Sequence, residues 1–138
     1  MPDTLRIEVH QLPPKLLSPN AGKYHNPAMV RRIKTEWQSA VAWAIKESLH
    51  GAEWTPCKRA EVTFERVIDG YSSRRMDDDN LANYFKHTRD VLKPNGETNP
   101  YGMGIIAGDD PTRLIAHYTE TKDPARSPMT IITVERKE

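Results

Sequence analysis

The sequence predicts an α/β fold: one domain over residues 1–138 in the order strand, helix, strand, helix, strand, strand, with both helices on one face of a mixed sheet. Two stretches carry apolar residues at spacings of three and four, four short stretches alternate apolar with polar, and no repeat or change of composition marks a second domain. Helical and strand periods in that order suit a helix-covered sheet. A chain of 138 residues buries a sizeable core without disulfides or metal staples.

The first strand is residues 5–10, where Leu5, Ile7 and Val9 alternate with Arg6, Glu8 and His10 until Pro13-Pro14 ends the pattern. Residues 13–25 are rich in Pro, Asn, Gly and Ser and read as a long loop, in which Lys15, Asn20, Lys23, Tyr24 and His25 are polar enough to meet a ligand. Asn26-Pro27 opens a helix, because Asn caps and Pro is pre-organised for the first helical position. Val30, Ile33, Trp37, Val41, Ala44 and Ser48 form its buried stripe and Gly51 its stop, giving a helix over 27–49 with Trp37 and Trp43 as packing residues. A second strand covers 60–68, with Ala60, Val62, Phe64 and Ile68 on one face. A second helix starts near Asp79 or Asn80 and ends at the Lys93-Pro94-Asn95-Gly96 breaker, with Leu81, Phe85, Thr88 and Leu92 inward and Asn83, Lys86 and Asp90 roughly opposite. Residues 94–108 read as a long, mobile loop. The third strand follows from Leu114 to Thr119 and the fourth from Thr130 to Glu135, joined through 122–128.

Composition narrows the setting. Cys57 is the only cysteine, so no intrachain disulfide forms and a reducing, cytoplasmic environment is expected. The sequence has no apolar run of membrane-spanning length and its amino end has no secretory pattern. A formal net charge of +1 removes the global electrostatic case for nucleic acid, so local clusters must carry it. Such clusters stand at Arg31-Arg32-Lys34, at Arg74-Arg75, and along Lys86, Arg89 and Lys93.

The chemically distinctive stretch is Arg74-Arg75-Met76-Asp77-Asp78-Asp79-Asn80, at the end of the second strand. Three adjacent carboxylates repel one another and need a cation, a positive dipole or water. In an extended segment Asp77 and Asp79 face one side and Asp78 the other, and paired oxygen donors suit Mg²⁺ together with substrate phosphate. The arginines suit the phosphate. The simpler alternative is an acidic turn that caps the next helix. A calcium loop fails on register, since counting from Asp77 puts Ala82 where glycine is required and Thr88 where the bidentate glutamate belongs. A second acidic pair, Asp109-Asp110, follows Gly108 and precedes Pro111. Lys86 and Asp90 have the spacing of a surface ion pair, which is their plainest explanation in isolation.

Asp77-x-Asp79-Asn80-Leu81, then Lys86-x-x-x-Asp90-Val91-Leu92, then Gly104-Ile105-Ile106-x-x-Asp109-Asp110 together resemble the RusA family of Holliday junction endonucleases, as does Leu12-Pro13-Pro14 after a first strand. The resemblance implies a homodimeric, Mg²⁺-dependent nuclease that cuts four-way DNA junctions by paired incisions, with no organic cofactor. It implies Asp77, Asp79 and Asp110 as metal-binding carboxylates, Asp109 as an alternate ligand and Lys86 as the active-site lysine. Some members place that lysine one helical turn earlier, where this chain has Asn83. Arg74, Arg75, Arg89 and Lys93 would contact DNA phosphates, which fixes register without reading sequence. Two rivals remain open: a related nuclease acting on flaps or other DNA, and a DNA-binding module whose aspartates only cap the helix.

Overall fold

The computed structural model describes residues 3–17, 26–70, 76 and 78–138, with backbone alone at 78 and 79. Strands β1 (Thr4–Val9), β2 (Ala60–Ile68), β3 (Leu114–Lys122) and β4 (Met129–Arg136) form one sheet in the order β1-β4-β2-β3. β4 is antiparallel to both β1 and β2, while β2 and β3 are parallel. The sheet is therefore mixed, as the alternating stretches predict.

Helix α1 (Pro27–Leu49) begins where Asn26 accepts the Ala28 N–H at 2.8 Å, satisfying a donor that the first turn leaves free. It ends at Leu49 as expected: His50 takes the left-handed conformation, at φ 49° and ψ 40°, and Gly51 follows at a φ of +80°. The second helix is interrupted. Helix α2 (Asp78–Tyr84) and helix α3 (Lys86–Leu92) meet at Phe85, whose backbone lies at φ −94°, ψ 7°. Hydrogen bonds from Phe85 N to Leu81 O and from Arg89 N to Phe85 O carry the pair across the joint.

All three helices share a core with one face of the sheet. Leu5 and Ile7 of β1, Val62 and Phe64 of β2, and Ile132 and Val134 of β4 pack in one cluster with Trp37, Val41 and Ile45 of α1 and with Leu81, Phe85 and Leu92. Phe64, Phe85 and Tyr118 stack, with ring centroids 5.4–6.2 Å apart. Trp37 donates from Nε1 to the Thr88 hydroxyl at 3.0 Å, tying α1 to α3. Trp43 departs from the expectation of a packing role: it is 64% exposed, with its indole N–H on Glu47 one turn away. The opposite face of the sheet carries cross-strand polar pairs, including His117 with Glu61 at 2.6 Å and Thr121 with Glu65 at 2.5 Å.

Two expected loops are more structured than their composition suggests. Within 13–25, Lys15–Leu17 form a 3₁₀ turn that buries Leu17; residues 18–25 lie outside the described ones. The 94–108 segment is not a free loop. Met103, Ile105 and Ile106 donate their N–H groups to the carbonyls of Val91 and Leu92, and Cys57 exchanges hydrogen bonds with Ile105 O and Ala107 N. Ile105 and Ile106 are fully buried. No described helix is long and apolar enough to cross a membrane.

Candidate functional site

Parallel β2 and β3 enclose α2 and α3 in a strand–helix–strand unit, and the region beyond the carboxyl ends of such strands is where α/β sheets commonly place ligands. The chain leaves β2 at Ile68 and turns at Gly70, whose φ of +84° suits glycine and whose missing side chain leaves room for Lys122. Arg74, Arg75 and Asp77 lie outside the described residues. Asp79 falls in the first turn of α2, so the expected helix start holds.

Met76, the last described residue before α2, is anchored by a feature that the periodicity does not reveal. Its N–H meets both carboxylate oxygens of Glu120, at 3.0 and 3.2 Å. Glu120 in turn receives Arg66 Nη1 at 2.8 Å, and the two side chains are only 5% and 6% exposed. Arg66 and Glu120 are direct partners in the β2–β3 register, both on the face that packs against the helices. The Arg66 guanidinium lies 5.2 Å from the centre of the Tyr84 ring, a cation–π arrangement. Tyr84 donates its hydroxyl to Pro13 O at 3.1 Å. Burial pushes the Tyr84 phenol above its ordinary pKa, against the lowering effect of Arg66. Removing one partner of such a buried pair costs about 3–5 kcal/mol, because the other is left charged and uncompensated. The sequence does carry a signal: Arg66 and Glu120 are charges at inward positions of two alternating strands.

The second acidic pair lies elsewhere. Asp109 sits between two cations, with Arg89 Nε at 3.5 Å and Lys93 Nζ at 3.6 Å. Arg89 also donates to the Tyr118 hydroxyl, and Lys93 lies 3.7 Å from Asp90. The charges of Arg89 and Lys93, expected to face DNA, are thus partly neutralised within the chain. Asp110 accepts from the Thr112 N–H at 3.1 Å and from the Thr112 hydroxyl, with Arg113 Nε at 3.4 Å. The Thr112 hydroxyl is the main cause holding the Asp110 carboxyl below its ordinary pKa. Its backbone carbonyl accepts from Leu114 N at 3.0 Å, which fixes it at the start of β3.

From Leu114 to Glu120 the strand advances about 20 Å. The helices run back along it: Tyr84 lies at Arg66, Phe85 at Phe64 and Tyr118, and Leu92 beside Ile105 and Ile106. Asp109-Asp110 and the first turn of α2 therefore occupy opposite ends of the β2–β3 ladder, and one copy of the chain does not bring Asp110 to Asp79. Lys86 opens α3 and is exposed. The expected Lys86–Asp90 pair gives way to Lys93–Asp90 among the described contacts.

The donors available decide how well Mg²⁺ fits. Among the described side chains, no group of three His, Cys, Asp or Glu residues is placed to hold a metal. Glu120, which reaches the start of α2, is occupied by Arg66 and the Met76 N–H. The described side chains alone do not make a Mg²⁺ site, and the ligand set expected from the sequence depends on Asp77 and Asp79, whose side chains lie outside them. Comparison with protein-family models and with curated proteins finds no match.

Proposed function

We propose that the chain is a Mg²⁺-dependent, structure-specific endodeoxyribonuclease of the RusA type that resolves four-way DNA junctions by paired phosphodiester hydrolysis as a homodimer in the cytoplasm. The observation that carries this reading is the position of Asp79, in the first turn of a helix that follows the carboxyl end of a parallel strand, one helix away from an exposed lysine, Lys86. The sequence order strand, Asp-x-Asp-Asn-Leu, helix, Asp-Asp, strand supports the RusA-type topology.

Bound Mg²⁺ would supply an activated water and charge neutralisation at the phosphoryl oxygens. The chain's own residues do the rest. In this reading Asp77 and Asp79 supply oxygen donors, Lys86 contacts the scissile phosphate as a mobile point charge, and Arg74 and Arg75 hold neighbouring phosphates. Because Asp110 lies at the far end of the ladder from Asp79, it would join a three-aspartate site only from a second copy, with Asp77 and Asp79 from one protomer and Asp110 from the other. A two-fold dimer presents the same surface twice, which suits two incisions in a junction of near two-fold symmetry.

The second reading is a non-catalytic DNA-binding module whose aspartates only cap the start of α2. One assay separates the two. A synthetic four-way junction and a matched duplex are incubated with the protein in Mg²⁺ and in EDTA. Cleavage of the junction in Mg²⁺ alone supports the resolvase, equal cleavage of duplex points to a broader nuclease, and metal-independent binding without cleavage identifies the module.

A further inference from the structure

Two charges on the packed face of a sheet are a poor way to build a core, since apolar residues of similar volume often hold a fold as well or better. Arg66 and Glu120 do something that apolar residues cannot. Glu120 takes the Met76 N–H on both its oxygens, at 3.0 and 3.2 Å. Met76 lies one residue before Asp77 and two before the first residue of α2. Arg66 holds the carboxylate at 2.8 Å from the neighbouring strand, and Tyr84, itself fixed to Pro13 O, lies against the guanidinium. The anchor thus joins β2, β3 and α2 to a single backbone amide, which immediately precedes Asp77 in the sequence.

We propose that Glu120, held by Arg66, is a positioning residue that fixes the backbone at Met76 and so sets the start of α2 and its aspartates for phosphodiester hydrolysis. This rests on the nuclease reading for the reaction it serves. A misplacement of about 1 Å in such a segment is enough to lower a rate about 100-fold. Neither Arg66 nor Glu120 needs to touch DNA or metal for this role.

Two double variants isolate it. Arg66→Met with Glu120→Leu removes the ion pair and the acceptor; Arg66→Met with Glu120→Gln removes the ion pair but keeps a side-chain carbonyl that accepts from the Met76 N–H. With saturating enzyme in a single turnover, the Leu variant is expected to cut a four-way junction about 100-fold more slowly at nearly unchanged junction affinity, and the Gln variant to stay within about tenfold of wild type. Hydrogen exchange at the Met76 amide, followed by NMR, is expected to quicken in the first and stay slow in the second. Met76→Pro, which deletes the N–H and leaves the ion pair in place, supplies an independent variant expected to cut as slowly as the Leu variant. Wild-type cleavage by the Leu variant or by Met76→Pro, or equal Met76 exchange in the two double variants, overturns the proposal. If the wild-type chain cuts no junction, the nuclease reading fails on its own, and Met76 exchange alone decides whether Glu120 fixes this backbone.

Discussion

Replacing Phe85 by alanine tests the packing that carries the helices onto the sheet. Phe85 is fully buried, with its ring centroid 5.6 Å from that of Phe64, 6.2 Å from that of Tyr118, and edge-on to Tyr84 at 5.1 Å. Truncating a buried phenylalanine costs about 3–5 kcal/mol, according to how far the surroundings collapse into the gap. Here the neighbours belong to β2, β3 and α2, whose backbones are held by the sheet ladder and the helical hydrogen bonds. Little collapse is expected, and aromatic pairs add about 0.5–1.5 kcal/mol beyond burial. The loss should therefore reach at least the middle of that range, about 4 kcal/mol. At about 3–5 °C per kcal/mol for a chain of this size, the melting temperature should drop by about 12–20 °C. Urea unfolding followed by far-ultraviolet circular dichroism measures the free energy directly, with Phe85→Leu as a control expected to lose under about 2 kcal/mol. A loss below about 1 kcal/mol for Phe85→Ala would show that the aromatic stack is not the joint between helix and sheet.

Three further outcomes follow from the site and the surface. Asp79→Asn and Asp110→Asn should each abolish junction cleavage while leaving binding intact; mixing the two inactive proteins under subunit exchange should restore activity if Asp110 serves the partner's site, and should restore none if each protomer is self-contained. Lys86→Ala should lower the single-turnover rate far more than junction affinity, with stability within about 0.5 kcal/mol of wild type because the residue is exposed; weaker binding at an unchanged rate would make it an ordinary phosphate contact and turn attention to Asn83. The carboxyls of Glu61, Asp110 and Glu138 are held low, chiefly by His117, the Thr112 hydroxyl and Arg136 respectively. Their folded pKa values lie below the unfolded ones, so their contribution is present at neutral pH and is lost as pH falls from the ordinary carboxylate range through the folded values. Urea midpoints measured from pH 6 down to pH 3 should fall steadily, and a flat profile would contradict the assignment.

Much of the fold was legible because periodicity is local. The alternation of Leu5, Ile7 and Val9 and the stripe through Trp37 and Val41 mark the same residues that the core buries. What was not legible depends on partners distant in sequence. Arg66 and Glu120 stand at inward positions of their strands, but only the parallel register shows that they are each other's partners. The polar composition of 94–108 suggests mobility, and only the contacts with Leu92 and Cys57 show why it is held. Trp43 illustrates the reverse: its bulk suggests packing, but its angular position on α1 leaves it outside. For the candidate site, the helix start at Asp79 followed from capping preferences. The separation of Asp110 from that helix did not, because it follows from β2 and β3 being parallel neighbours, with the helices returning along them.

The order of strands in the sheet has a consequence for how the protein is made. β4 is the last of the four described strands to leave the ribosome, yet it lies between β1 and β2 and supplies both with hydrogen-bonding partners. Once the chain as far as Lys122 has emerged, β2, β3 and their helices can pack, but β1 has no neighbour to pair with until β4 follows. Closure of the sheet waits for the carboxyl-terminal strand to insert at its centre, a long-range step of the kind that slows folding and exposes strand edges in the interval. A nonsense or frameshift change after Asp123 would therefore remove the strand that joins the two ends of the chain, leaving a released product with an open edge on both β1 and β2.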